Sequence, residues 1–62
     1  MNRIREIRKA KNLKQIKLAE MTGIKQGCLS YYEHGKRGLD LETAAVIAEA
    51  LGCKVDDLIR KQ

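Results

Sequence analysis

The side chains with chemistry to offer in this sequence are mostly cationic. Thirteen Lys and Arg stand against eight Asp and Glu, for a net charge of +5 over 62 residues. They are unevenly spread: residues 1–38 carry 10 basic and 3 acidic side chains, residues 39–62 carry 3 and 5. A basic half beside a slightly acidic half suits one face built for a polyanion. The competing explanation is a merely solvated surface. Cys28 and Cys53 lie 25 residues apart and make neither a disulfide framework nor a metal site. Asp56-Asp57 has the character of an acidic first helical turn. No pattern matches a catalytic triad, a carboxylate pair in a cleft, a glycine loop for phosphate or a metal cluster. No enzyme activity, metal, cofactor or small-molecule ligand is therefore expected.

The length allows one domain over residues 1–62 and one small core, which needs good packing or a partner chain. The longest wholly apolar run, Ala44–Ala48, has five residues, whereas a spanning helix needs about 20. Met1-Asn2-Arg3 is not followed by an apolar stretch, so no signal peptide is expected. A reduced, cytoplasmic protein that avoids the membrane follows as the expectation.

The apolar spacing is helical throughout. Ile4, Ile7 and Lys11 fall at i, i+3 and i+7, with Asn2 as N-cap and a turn at Asn12. A second helix is expected over about 14–21, with Leu18 and Ala19 inward and Gly23 just past its end. A third covers about 25–33 and buries Leu29 and Tyr32. Gly35-Lys36-Arg37-Gly38 makes a loop. Asp40 caps a fourth helix whose apolar side is Leu41, Ala44, Ala45, Ile47, Ala48 and Leu51, and Gly52 ends it. Val55, Leu58 and Ile59 mark a short fifth helix. The fold class is all-α, a compact bundle of five short helices.

Gln15 to Tyr32 is the informative segment. Two helices joined by a tight turn cross steeply, so a small residue is needed where they meet and a residue tolerant of positive φ in the turn. Ala19 and Gly23 supply them. Ile24 and Leu29 anchor the second of these helices. Its other side holds Gln26, Gly27, Cys28, Ser30 and Tyr31, which are small or polar. A free polar helix on a basic domain fits the DNA major groove, which admits one α-helix.

These residues resemble a known family. Leu13-Lys14-Gln15, Leu18-Ala19-Glu20, Gly23-Ile24, Leu29-Ser30, Tyr32-Glu33-His34-Gly35-Lys36 and Ile47-Ala48-Glu49-Ala50-Leu51-Gly52 look like the lambda-repressor-like, Cro/phage-repressor (XRE-type) helix-turn-helix domains. The likeness runs from about Ile4 to Ile59. It implies a helix-turn-helix at the second and third helices. It also implies a double-stranded DNA operator as partner and a homodimer, at least on DNA. Gln15 resembles the family glutamine that touches a phosphate and braces the next glutamine. Gln26 resembles the one that reads adenine, a pairing an amide can make by bridging N6 and N7. Gly27, Cys28 and Tyr31 sit where the family places its other base readers. Plain exposed helix residues remain the alternative for Gln15 and Gln26. The family also pairs an arginine and a glutamate at positions matching Arg8 and Glu33. A half-buried charge needs a partner, so an Arg8–Glu33 ion pair is expected, with Arg8 on a phosphate as the alternative.

The sequence departs from the family pattern at several points. Ser or Thr usually opens helices two, three and five, where this chain has Lys14, Lys25 and Lys54. Lysine accepts no N–H bond, and each lost cap costs roughly 1 kcal/mol. At Lys14 and Lys25 a DNA phosphate would relieve the conflict by pairing with both the lysine and the free N–H groups. Gly27 offers no side chain; it permits close approach to the groove or it signals weak specificity. Tyr31 has two readings, DNA contact or lying flat on the protein. Lys36 and Arg37 lie where the chain passes the DNA backbone in this family, with solvation as the alternative. His34 is either a phosphate donor or a plain surface histidine. Cys28 is a small contact residue or a redox switch. The surface around Leu39, Cys53 and Val55 is the candidate dimer interface.

Together these features describe a sequence-specific DNA-binding transcriptional regulator, a repressor, whose helix 25–33 enters the major groove. The alternative is an antitoxin or other interaction module whose main ligand is a protein partner such as a toxin.

Overall fold

A computed structural model describes residues 2–36 and 38–59. Five helices follow in order: α1 (Ile4–Ala10), α2 (Gln15–Thr22), α3 (Gln26–Glu33), α4 (Leu41–Leu51) and α5 (Val55–Ile59), with no strand among the described residues. Ile4, Leu18, Leu29, Ile47, Leu51 and Leu58 are fully or almost fully buried, so every helix contributes to one core. Helix α4 packs against α2 and α5, and α1 bridges α3 and α4. No described helix is long and apolar enough to cross a membrane.

The helix ends follow local chemistry. Gly23 has φ +76° and its N–H donates to the Ala19 carbonyl at 2.9 Å, closing α2 with a left-handed residue. Thr22 organises the same turn. Its Oγ1 donates to the Leu18 carbonyl at 2.9 Å and accepts the Ile24 N–H at 3.2 Å. Asp40 caps α4 by accepting the Thr43 N–H at 3.2 Å. That bond holds the Asp40 carboxyl below its ordinary pKa, so the cap is fully present at neutral pH and is lost on strong acidification.

Several expectations are corrected. The N-cap position of α1 is Arg3, which makes no side-chain cap bond. Asn2, one residue earlier, accepts the Ile4 N–H at 3.1 Å and donates through Nδ2 to the Tyr32 carbonyl at 2.8 Å. It ties the start of α1 to the end of α3. Lys14 and Lys25 hold the N-cap positions of α2 and α3, as their place at the missing Ser or Thr caps implies, so each helix starts one residue later than its spacing suggests. Leu41 is 75% exposed and Ala45 also faces solvent, so the buried stripe of α4 is Ala44, Ile47, Ala48 and Leu51. Leu39, Cys53 and Val55 are half-buried and pack against the core. Burial pushes the Cys53 thiol above its ordinary pKa.

Candidate nucleic-acid interface

Helix α3 has two distinct sides. Leu29 is fully buried and Tyr32 packs against the core, while Gln26, Gly27 and Tyr31 are exposed and Cys28 and Ser30 are half-buried. Tyr31 keeps 51% of its surface in solvent. Gln26 and Tyr31 therefore stand outside the core, away from the side of α3 that packs on α1 and α2.

A hydrogen-bonded chain runs from α1 to this open side. Arg8 donates from Nε to Glu33 Oε2 at 2.8 Å and from Nη2 to Glu33 Oε1 at 3.1 Å. Its Nη1 donates to the Leu13 carbonyl at 2.8 Å. The pair is bidentate and nearly dry, with the Glu33 side chain 1% exposed. Arg8 thus fastens α1, the α1–α2 turn and the end of α3 together, and three of its N–H groups are spent on the protein. Gln15, the first residue of α2, donates from Nε2 to Glu33 Oε1 at 3.2 Å and accepts on Oε1 from Gln26 Nε2 at 3.2 Å. Because a carboxylate only accepts, Glu33 fixes which way the Gln15 amide points. Gln15 in turn fixes Gln26. The Gln26 amide keeps one N–H and its whole oxygen for an outside partner, held side by side as a donor and an acceptor.

The surrounding cations fall around this pair. Lys14 and Lys25 precede α2 and α3, both exposed, and neither side chain caps its helix. The free N–H groups of both helix starts are left without a side-chain acceptor, an arrangement that favours an anion. Lys14→Ser and Lys25→Ser should each stabilise the free domain by about 1 kcal/mol in urea unfolding, and each should weaken binding to duplex DNA at fixed salt. Lys54 is different: its N–H donates to Asp57 Oδ2 at 3.1 Å, which satisfies one orphan donor from the opposite direction.

Lys36 is exposed just past α3, its N–H bonded to the Tyr31 carbonyl at 2.9 Å. Arg37 lies outside the described residues. His34 is exposed, and its Nδ1–H donates to the Ser30 carbonyl at 2.8 Å. That assignment leaves Nε2 an acceptor in the neutral ring and a donor to an anion only when the ring is protonated. A Cβ built on Gly27 meets nothing within 4 Å, so packing within the protein does not demand glycine there. Gly27→Ala should therefore raise thermal stability by up to about 1 kcal/mol, and any accompanying loss of DNA affinity measures how closely the helix approaches its ligand. Cys28 is a free thiol on the same side.

Sequence reasoning gave Asn2 only a capping role and missed Thr22, and both set the site. Asn2 docks α1 on the end of α3, and Thr22 shapes the α2–α3 turn. The signal for Thr22 was a hydroxyl residue directly before the turn glycine. Nothing in the sequence tied Asn2 to a carbonyl 30 residues away.

A short helix, a left-handed turn and a second helix with an exposed polar side make up the geometry of residues 15–33. Comparison with curated proteins finds no match to this chain. The protein-family model described as "Helix-turn-helix" matches residues 4–58, nearly the whole chain. The chain belongs to the XRE/lambda-repressor-like helix-turn-helix family of DNA-binding domains.

Proposed function

We propose that this chain is a sequence-specific regulator of transcription that binds a double-stranded operator and represses by occluding it. Helix α3 lies in the major groove. The observation that carries this reading is the Gln26 amide, exposed and held by Gln15 with a donor and an acceptor directed outward. Adenine presents the complementary pair in the major groove, N7 as acceptor and the N6 amino group as donor. Tyr31, Cys28 and the open backbone at Gly27 read the neighbouring bases by contact and shape. Gln15, Lys14, Lys25, His34 and Lys36 hold phosphates and set the register, as would Arg37. Arg8 and Glu33 fix the angle of α3 from behind.

A single short helix reads only a few base pairs. Two copies on a two-fold site would place their recognition helices about 34 Å apart along the duplex. Repression by a homodimer in the cytoplasm completes the proposal. Selection of binding sites from random duplexes tests it, followed by affinity across a salt series. The expected result is a short inverted repeat containing adenine, with log affinity falling against log salt by roughly 0.9 per phosphate contact. No enriched sequence and a flat salt dependence would overturn it and favour a protein partner as the main ligand.

A further inference from the structure

A second charged feature lies away from the exposed side of α3. Between α1 and the C-terminal end of α3 runs a groove of about 520 Å³, lined by Asn2, Arg5, Glu6, Lys9, Glu33 and His34. Its two carboxylates are already matched. Glu6 pairs with Arg3 at 3.0 Å, and Glu33 pairs with Arg8 at 2.8 Å. Arg5 and Lys9 are not: both are exposed, and neither has an ion-pair partner among the described residues. They stand four residues apart on one side of α1, a spacing at which like charges repel. His34 closes the other wall, with its Nδ1–H donated to the Ser30 carbonyl at 2.8 Å. Asn2 holds the two walls together by donating to the Tyr32 carbonyl at 2.8 Å.

We propose that this groove is a phosphodiester clamp in which Arg5 and Lys9 hold a backbone phosphate of the duplex, making α1 a DNA-binding element alongside α2 and α3. The lining has no aliphatic side chain, and its one aromatic ring is the His34 imidazole. It has two exposed cations able to share the non-bridging oxygens of one phosphate, facing the wall set by His34. The repulsion between Arg5 and Lys9 in the free protein is relieved when an anion sits between them. The phosphate taken here lies beside the end of α3 remote from Gln26, so the clamp extends the footprint past the bases that α3 reads. This inference rests on the proposed function, because the duplex is the polymer that supplies the phosphate.

The test compares wild type, the double variant R5Q/K9Q and the control K17Q/K54Q on the selected duplex, between about 50 and 200 mM salt. Wild type and the control should share one salt slope, and R5Q/K9Q should lose about 1.8 from it, roughly 0.9 for each contact removed. Methylphosphonate substitution, one phosphate at a time, should find a position beyond the α3 base pairs whose neutralisation weakens wild type but not R5Q/K9Q. A slope for R5Q/K9Q equal to that of wild type, with an unchanged thermal melt, overturns the clamp while leaving the proposed function standing. A wild type with no salt dependence overturns both. Inorganic phosphate shifting the Arg5 and Lys9 resonances without any change in the duplex slope would also overturn it, in favour of a free-anion site.

Discussion

Replacing Arg8 with methionine is expected to cost about 3–5 kcal/mol of folding stability, because it strands the Glu33 carboxylate in a nearly dry site. Both Glu33 oxygens take their charged partner from Arg8, and only the Gln15 amide remains after its removal. Glu33→Leu strands the guanidinium in the same way, with Arg8 itself 8% exposed. The double variant R8M/E33L removes both charges and should cost clearly less than the sum of the single losses. A domain of this size has a total stability of about 6 kcal/mol, on the order of 0.1 kcal/mol per residue, so each single variant should be substantially unfolded in mild urea. Urea unfolding of all four proteins gives the coupling directly. A double variant as damaged as the two singles added together would mean the pair does not act as a unit.

The second large effect is on recognition rather than folding. Gln26→Ala should leave stability nearly unchanged, since Gln26 is exposed and its one internal bond is to Gln15. On the selected operator it should lose about 1–3 kcal/mol of discrimination at a single A·T pair, roughly five- to 150-fold, with non-specific binding preserved. Gln15→Ala should relax the same position by a smaller factor, because Gln26 then loses the bond that orients its amide. Its salt dependence should stay that of wild type, because a neutral amide neutralises no phosphate charge. Affinity measured against the four bases at that position separates the two variants. Equal loss on every base for Gln26→Ala would make it a general contact and not a reader.

Much of this arrangement was legible in the chain before any coordinates. Gly23 and Gly52 ended their helices as expected, with φ of +76° and +71°, because a left-handed residue after a helix strongly favours glycine. Asp40 before an apolar run announced α4. The two sides of α3 were readable because Leu29 and Tyr32 are large and apolar while their neighbours are small or polar. The Arg8–Glu33 contact was legible only through the family resemblance. Spacing alone cannot relate two charges 25 residues apart on different helices.

What stayed hidden has physical causes. Helix α4 is apolar nearly all round, interrupted by Glu42, Thr43 and Glu49, so periodicity could not say which apolar residues face the core. Leu41 and Ala45 were misplaced for that reason. Asn2 and Asp57 act through hydrogen bonds to backbone groups, and such partners have no signature in residue type. The groove beside α1 escaped notice because Arg5 and Lys9 look like ordinary solvated charges until α3 is docked against them.

The central claim is that the outward side of α3 is the surface this domain presents to DNA. Titration of the isotopically labelled domain with its selected duplex, followed by amide chemical shifts, tests it most directly. The largest changes should fall on Gln15 and on Gln26 to Tyr31, with Lys14 and Lys25 beside them. Val46, Glu49 and Lys54 should stay still. Shifts centred on the exposed apolar residues Leu41, Val46 and Ile59, with α3 silent, would contradict the account.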